Sequence, residues 1–278
     1  MLLQVISDGA SEAFDDPELI CQPWANQLSL SNTSSKKPLR VGIIRTDGHV
    51  QPLPPVARLM GDVAQTLSRS NTAALQVTDV TPKASPILAR ILKVFNGIMS
   101  IDGGNAWFDL LDKTQEPLSP WLQNRLTRRP MKSLEQVRAL QEQKTALQTA
   151  FLKIWKDVDV LVFPVAPHPI PPIDRWNTAN YTGALNLLDV SAGVLPVRNF
   201  TKQDLQGELE ADKKPMNGWD KINMELWTKV DRNDYLDSPL SVQVVTPRLT
   251  ERKLCEAMEL VDQALKPLCT EGHSTAKL

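Results

Sequence analysis

The sequence predicts an α/β fold, a mixed β-sheet flanked by helices. Three observations carry that expectation. A strand, a helix and a second strand follow one another within residues 39–82, an order that calls for a parallel or mixed sheet. Two further apolar, β-branched runs, "VLVFP" and "SVQVV", sit beside prolines as buried strands do. Amphipathic helical patterns separate these runs and close the chain.

Taken in order, residues 1–38 are weakly patterned and end in "LSNTSSKKP", a polar loop. "LRVGIIRTDG" (39–48) reads as a short buried strand closed by an Asp-Gly turn. Pro54 or Pro55 then opens a helix in which Val56, Leu59, Met60, Val63 and Leu67 recur on one face. "AALQVTDVTP" alternates and stops at a proline, as a second strand would. Residues 84–130 carry helical patterns broken at Gly103 and Gly104. A long amphipathic helix follows over 133–156, with Leu134, Val137, Leu140, Leu147, Phe151 and Ile154 on one face.

"DVDVLVFPVAPHPIPPID" (157–174) is a strand that runs straight into a proline-stiffened loop. "YTGALNLLDVSAGVLPV" (181–197) reads as a short helix leading into another strand. Residues 200–237 are rich in charge and read as a surface excursion. "SPLSVQVVTP" is the last strand, and "LTERKLCEAMELVDQALKPL" the closing helix, with Leu254, Met258, Val261 and Leu265 at matching spacing.

Composition narrows the function classes. With 278 residues and 42% apolar side chains the chain can bury a substantial core. A net charge of −1 with mixed signs gives no basic footprint for nucleic acid and no polybasic membrane anchor. No apolar run approaches the length of a membrane span, and the N-terminus lacks the basic opening of a secretory signal. Cys21, Cys255 and Cys269 are widely spaced and odd in number, which supports neither a zinc site nor a disulfide framework. A reduced, cytoplasmic compartment is the expectation.

Several side chains invite a chemical role. His168, one of three histidines, could act as a general base from the proline loop. No serine or cysteine motif can be assigned to it, so a structural or pocket-edge histidine is the preferred reading. Ser34, Ser35 and Lys36 stand side by side, but consecutive residues point in different directions and a solvated loop accounts for them. Asp102, Asp109 and Asp112 lack the ligand pattern of a calcium loop and read as helix surface, so no metal is expected. Asn186 and Asp189 are polar within an apolar segment and need partners if buried. Gln243 reads as a structural hydrogen-bonding residue in the last strand, and Trp176 as a core cap.

Four segments in one order carry a resemblance: "KPLRVGIIRTDGHVQPLPPVARLM", "DVDVLVFPVAPHPIPP", "YTGALNLLDVSAGVLPV" and "DSPLSVQVVTPRLTERKLCEAMELVDQAL". "PWANQ" (23–27) adds a fifth match just upstream. Together they resemble the amidase signature family, fungal acetamidase-type enzymes in particular and fatty acid amide hydrolases more distantly. Ser241 departs from that pattern, standing where the family usually has glycine, and Thr246 stands near another usual glycine.

The resemblance implies the C-terminal part of an amidase α/β domain over 39–278, following an N-terminal segment over 1–38. It implies small amides as substrates and no cofactor. It places Tyr181, Thr182 and Asn186, with Asp189 and His168, at the substrate pocket; the alternative, that they only tie the helix to the sheet, stays open. The family's chemistry uses a serine nucleophile, a bridging serine and a lysine on a glycine- and serine-rich segment N-terminal to all these matches. No such segment occurs here, the one double glycine being Gly103–Gly104, so no catalytic residue is assigned. A sheet edge left open by a missing half is then expected to expose apolar surface, which a protein partner could cover.

Overall fold

The computed structural model describes residues 4–5, 24, 29–30, 38–70, 75–123, 126–173, 175, 178–210 and 214–271. Its elements follow in this order: β1 (Leu39–Ile43), α1 (Pro54–Arg69), β2 (Leu75–Asp79), α2 (Thr81–Leu88), α3 (Ile91–Met99), α4 (Asn105–Thr114), α5 (Pro120–Gln123) and α6 (Leu134–Leu152). Then come β3 (Val160–Pro164), α7 (Asn180–Leu188), β4 (Ser191–Asn199), α8 (Gly218–Thr228), β5 (Pro239–Thr246) and α9 (Glu251–Glu271).

The strands form one five-stranded sheet in the order β2-β1-β3-β5-β4. β1 is parallel to β2 and to β3, with Val41 opposite both Val77 and Val160. β5 is antiparallel to β3 and to β4, with Val244 opposite both Val162 and Gly193. The mixed sheet follows from the connections. β1 and β2 are joined through α1, as a parallel pair requires, and β5 alone runs against the other four strands.

Period-two alternation divides the apolar residues between two faces. Val41, Ile43, Val160, Val162, Val242 and Val244 join one core with α1 and α9. Leu161, Phe163 and Val245 join the other with α2, α3, α6 and α7. On α1, Val56, Leu59, Met60, Val63 and Leu67 are buried. Its prolines at the first helical positions need no N–H partner there, so the helix starts without a side-chain cap. On α9, Leu254, Val261 and Leu265 are buried as their spacing predicts.

Two expectations need correction. Leu134 is 67% exposed, and only Leu147, Phe151 and Ile154 of its proposed face are buried. The Ser133–Gln136 capping box starts α6, so the helix needs no tertiary cover over its first turn. The 200–237 region is no surface excursion. Phe200, Trp227 and Tyr235 are fully buried within the α1–α9 core, with ring centroids 5.8–6.3 Å apart. Asp204, also buried, takes a two-pronged bond from Arg198 at 2.7 and 2.9 Å. Burial alone would raise its pKa, but Arg198 and Thr201 hold the carboxyl below its usual value. The charges that dominate this stretch of sequence lie around a buried aromatic centre.

The turn between α3 and α4 uses Gly103 for a steric reason. Its φ is +71°, and a Cβ there would stand 1.9 Å from the Arg129 carbonyl oxygen.

Truncating Trp227 removes the largest of these aromatics. Trp227→Ala is expected to cost about 3–5 kcal/mol in urea denaturation, whereas Trp107→Ala, at a side chain 72% exposed, should change stability by about 0.5 kcal/mol or less. Equal losses for the two variants would contradict the buried assignment of the 200–237 region.

Candidate functional site

The site lies where β3 gives way to its proline loop. The Leu53 N–H donates to the Pro167 carbonyl at 2.7 Å and fixes the loop against the start of α1. Four parts of the chain then enclose an open cavity of about 250 Å³. Val56 and Leu59 come from α1, Val165 and His168 from the loop, Val194 from β4 and Leu240 from β5. The walls carry no Lys, Arg, Asp or Glu.

His168 is the single titratable group in these walls. Its ring is buried, and Nδ1 lies 2.8 Å from the Pro169 carbonyl oxygen. Burial holds its pKa below the ordinary 6.5, against backbone contacts that favour the charged form. The imidazole is therefore neutral near pH 7, and the nearby carbonyl assigns its proton to Nδ1. Nε2 is buried without a hydrogen-bonding partner. In this position the ring shapes a wall, and among the described residues it is bonded to no hydroxyl or thiol.

The other expected pocket residues do not gather around it. Tyr181 is buried in α7, stacked on Phe163 with centroids 4.7 Å apart and planes 4° apart. Its hydroxyl donates to the Val50 carbonyl at 2.7 Å, and burial followed by the charge of Asp47 raises its pKa well above 10.0. Tyr181 thus ties α7 to the loop before α1. Thr182, Asn186 and Asp189 lie on exposed positions. Thr182 donates to the Ala179 carbonyl, and Asp189 ends α7 in a left-handed conformation and pairs with Arg248 at 2.9 Å. Of the five, only His168 lines the cavity.

A polar knot behind the site escaped the sequence reading. Asp47 accepts from the His49 and Val50 N–H groups, both at 2.8 Å. Asp220, buried in α8, accepts from the Gln51 N–H at 2.9 Å. Asn217 and Asn223 donate to the His49 and Gln51 carbonyls at 2.7 and 2.8 Å. The Asp-Gly turn was visible in the sequence, but its meeting with Asn217, Asp220 and Asn223 across about 170 residues was not. Burial raises the pKa of Asp47, and the two N–H groups oppose that rise.

A serine–lysine contact occurs among the described residues. Lys132 Nζ stands 3.2 Å from Ser100 Oγ. The ammonium also donates to the Ser100 carbonyl, while the hydroxyl donates to the Asn96 carbonyl, so the pair closes the end of α3. Ser34, Ser35, Lys36 and Trp176 lie outside the described residues. Asp109 and Asp112 form exposed pairs with Arg128, and Asp102 accepts from the Gly104 and Ala106 N–H groups at the start of α4. Gln243 donates to the Pro164 carbonyl at 2.9 Å, the structural role its place in an apolar strand implied. Among the described residues no group of three His, Cys, Asp or Glu side chains could hold a metal ion.

Comparison with known proteins decides the family. The family model described as Amidase matches residues 1–255. The chain belongs to the amidase family. It is 31% identical over 253 residues to "Putative amidase C550.07" of Schizosaccharomyces pombe, covering 89% of this chain and 44% of that protein. It is 25% identical over 261 residues to an acetamidase of Aspergillus oryzae, covering 90% and 46%. Among solved structures it is similar to a fatty acid amide hydrolase, with a TM-score of 0.71, 19% identity, and coverage of 90% of this chain and 43% of that one. This amidase-family chain therefore spans less than half the length of these curated relatives.

The buried neutral histidine has a pH consequence. A folded-state pKa below 6.5 stabilises the fold fully above that value, and the contribution is lost as pH falls through the folded pKa. His168→Gln should flatten the loss of stability between about pH 6.5 and 5, read from urea midpoints across that range. An unchanged slope would contradict a histidine buried in its neutral form.

Proposed function

We propose that this chain is one part of an amide-hydrolysing protein of the acetamidase type and forms a wall of its substrate site. The observation that carries this reading is the span of the match: nearly all of this chain aligns with less than half of each relative. In this reading the serine nucleophile and its lysine lie on polypeptide beyond the 278 residues, and the chain does not hydrolyse amides alone. Two features support it. The sequence has no glycine- and serine-rich segment, and an ordinary hydroxyl needs a neighbouring base and oxyanion donors to attack an amide. The cavity beside the strand ends has apolar walls and a neutral histidine, which suits an uncharged acyl group.

Thr182, Asn186 and Asp189 would face that missing part from the outer side of α7. A cytoplasmic location suits cysteines with no disulfide pattern. No described helix is long and apolar enough to cross a membrane. A second reading, a non-catalytic binding protein on the same fold, draws on the exposed apolar side chains Ile170 and Val194 at the cavity.

The test is ammonia release from acetamide and longer carboxamides by the purified chain. The expected rate equals that of buffer. Release that scales with protein concentration and disappears on heat denaturation would overturn the reading.

A further inference from the structure

Of the side chains that line the cavity, His168 and Ser241 carry hydrogen-bonding groups and the rest are apolar. The histidine has little to offer a ligand, since Nδ1 lies against the Pro169 carbonyl and Nε2 is buried. Ser241 differs. It is half-buried on β5, and its hydroxyl has no hydrogen-bonding partner among the described residues. The strand fixes where that hydroxyl stands. Leu240 and Val242 on either side are buried in the α1–α9 core, and Ser241 lies opposite Pro196 of β4. A site carried on a strand between two buried neighbours is held more firmly than one on a loop. Serine also stands where the family resemblance expects glycine, which would bring no hydroxyl to this wall.

We propose that Ser241 sets the acyl selectivity of the cavity, favouring neutral acyl chains that carry an ether or hydroxyl oxygen over plain alkyl chains of the same size. The proposal rests on the acyl-wall reading of the cavity and adds to it the class of acyl group. A plain alkyl chain that fills the space takes water from the Ser241 hydroxyl and returns no bond, which weakens its binding. An oxygen in the chain accepts from that hydroxyl and removes the penalty. The walls hold no charged partner, so a charged substituent would be desolvated without compensation and is disfavoured. The cavity is open on one side, so water competes for the hydroxyl and the preference is modest, about fivefold.

The test is an NMR titration of the full chain with hexanamide and with methoxybutanamide, an isostere in which a terminal methoxy oxygen replaces one methylene. Backbone amide shifts of Ala166, Val194 and Leu240 report binding at the cavity. The wild-type chain should bind the methoxy amide about fivefold more tightly than hexanamide. Ser241→Ala should abolish that preference by weakening the methoxy amide while leaving hexanamide at least as tight. A merely structural role for the hydroxyl would shift both affinities together. Equal affinities in the wild-type chain overturn the proposal, and so does a preference that survives in Ser241→Ala. The wild-type comparison needs no variant, so it decides the matter even if the substitution costs stability. The outcomes also separate the two levels. If neither amide shifts the cavity residues, the acyl-wall reading fails and the proposal with it. If both bind equally well, that reading stands and the role of Ser241 alone is refuted.

Discussion

Strand β3 is the constraint on which the other elements depend. All five of its residues are buried, and it is bonded to a parallel neighbour on one side and an antiparallel neighbour on the other. Within the sheet, the β1–α1–β2 unit and the antiparallel β4–β5 pair are joined only through β3. Val160 and Val162 feed one core while Leu161 and Phe163 feed the other, so successive residues of the strand alternate between two sets of helices. A one-residue slip would exchange the two sets, which fixes the register by burial rather than by turn geometry. Gly42 of β1 reflects the same crowding, since a Cβ there would stand 2.8 Å from Leu161.

From that strand the site inherits its rigidity. Gln243 reaches from β5 to the Pro164 carbonyl and the Leu53 N–H holds that of Pro167, so the loop is tied on both sides just as it leaves the sheet. Prolines remove much of the remaining backbone freedom. Behind the loop, Tyr181 and the Asp47–Asp220 knot hold the approach to α1 with buried hydrogen bonds, each costly to leave unmade. The result is a preformed apolar wall with a neutral histidine in it, an arrangement suited to positioning a substrate or a partner rather than to moving protons.

The strands were legible because β-branched runs ending at prolines have few other stable homes, and α1 because two prolines mark its start. Gln243 was legible because an amide in an apolar strand needs partners. Leu134 was misplaced because periodicity identifies a face without saying whether anything covers it. Phe200, Trp227 and Tyr235 escaped because they meet only in three dimensions, and the surrounding charges mask them. The cavity was illegible for the same reason, since Val56, His168, Val194 and Leu240 come from four separate elements. On α7 the sequence placed Tyr181, Thr182, Asn186 and Asp189 together. The helix buries the first and exposes the rest, because the tyrosine ring stacks on Phe163 of β3.

If β3 organises the molecule as described, its amides should open only when the whole protein does. Native-state hydrogen exchange read residue by residue measures this directly. Leu161, Val162 and Phe163 are expected to exchange slowest, with opening free energies equal to that of global unfolding, and the edge strands β2 and β4 to exchange faster. Exchange in β3 as fast as in those edges would contradict it.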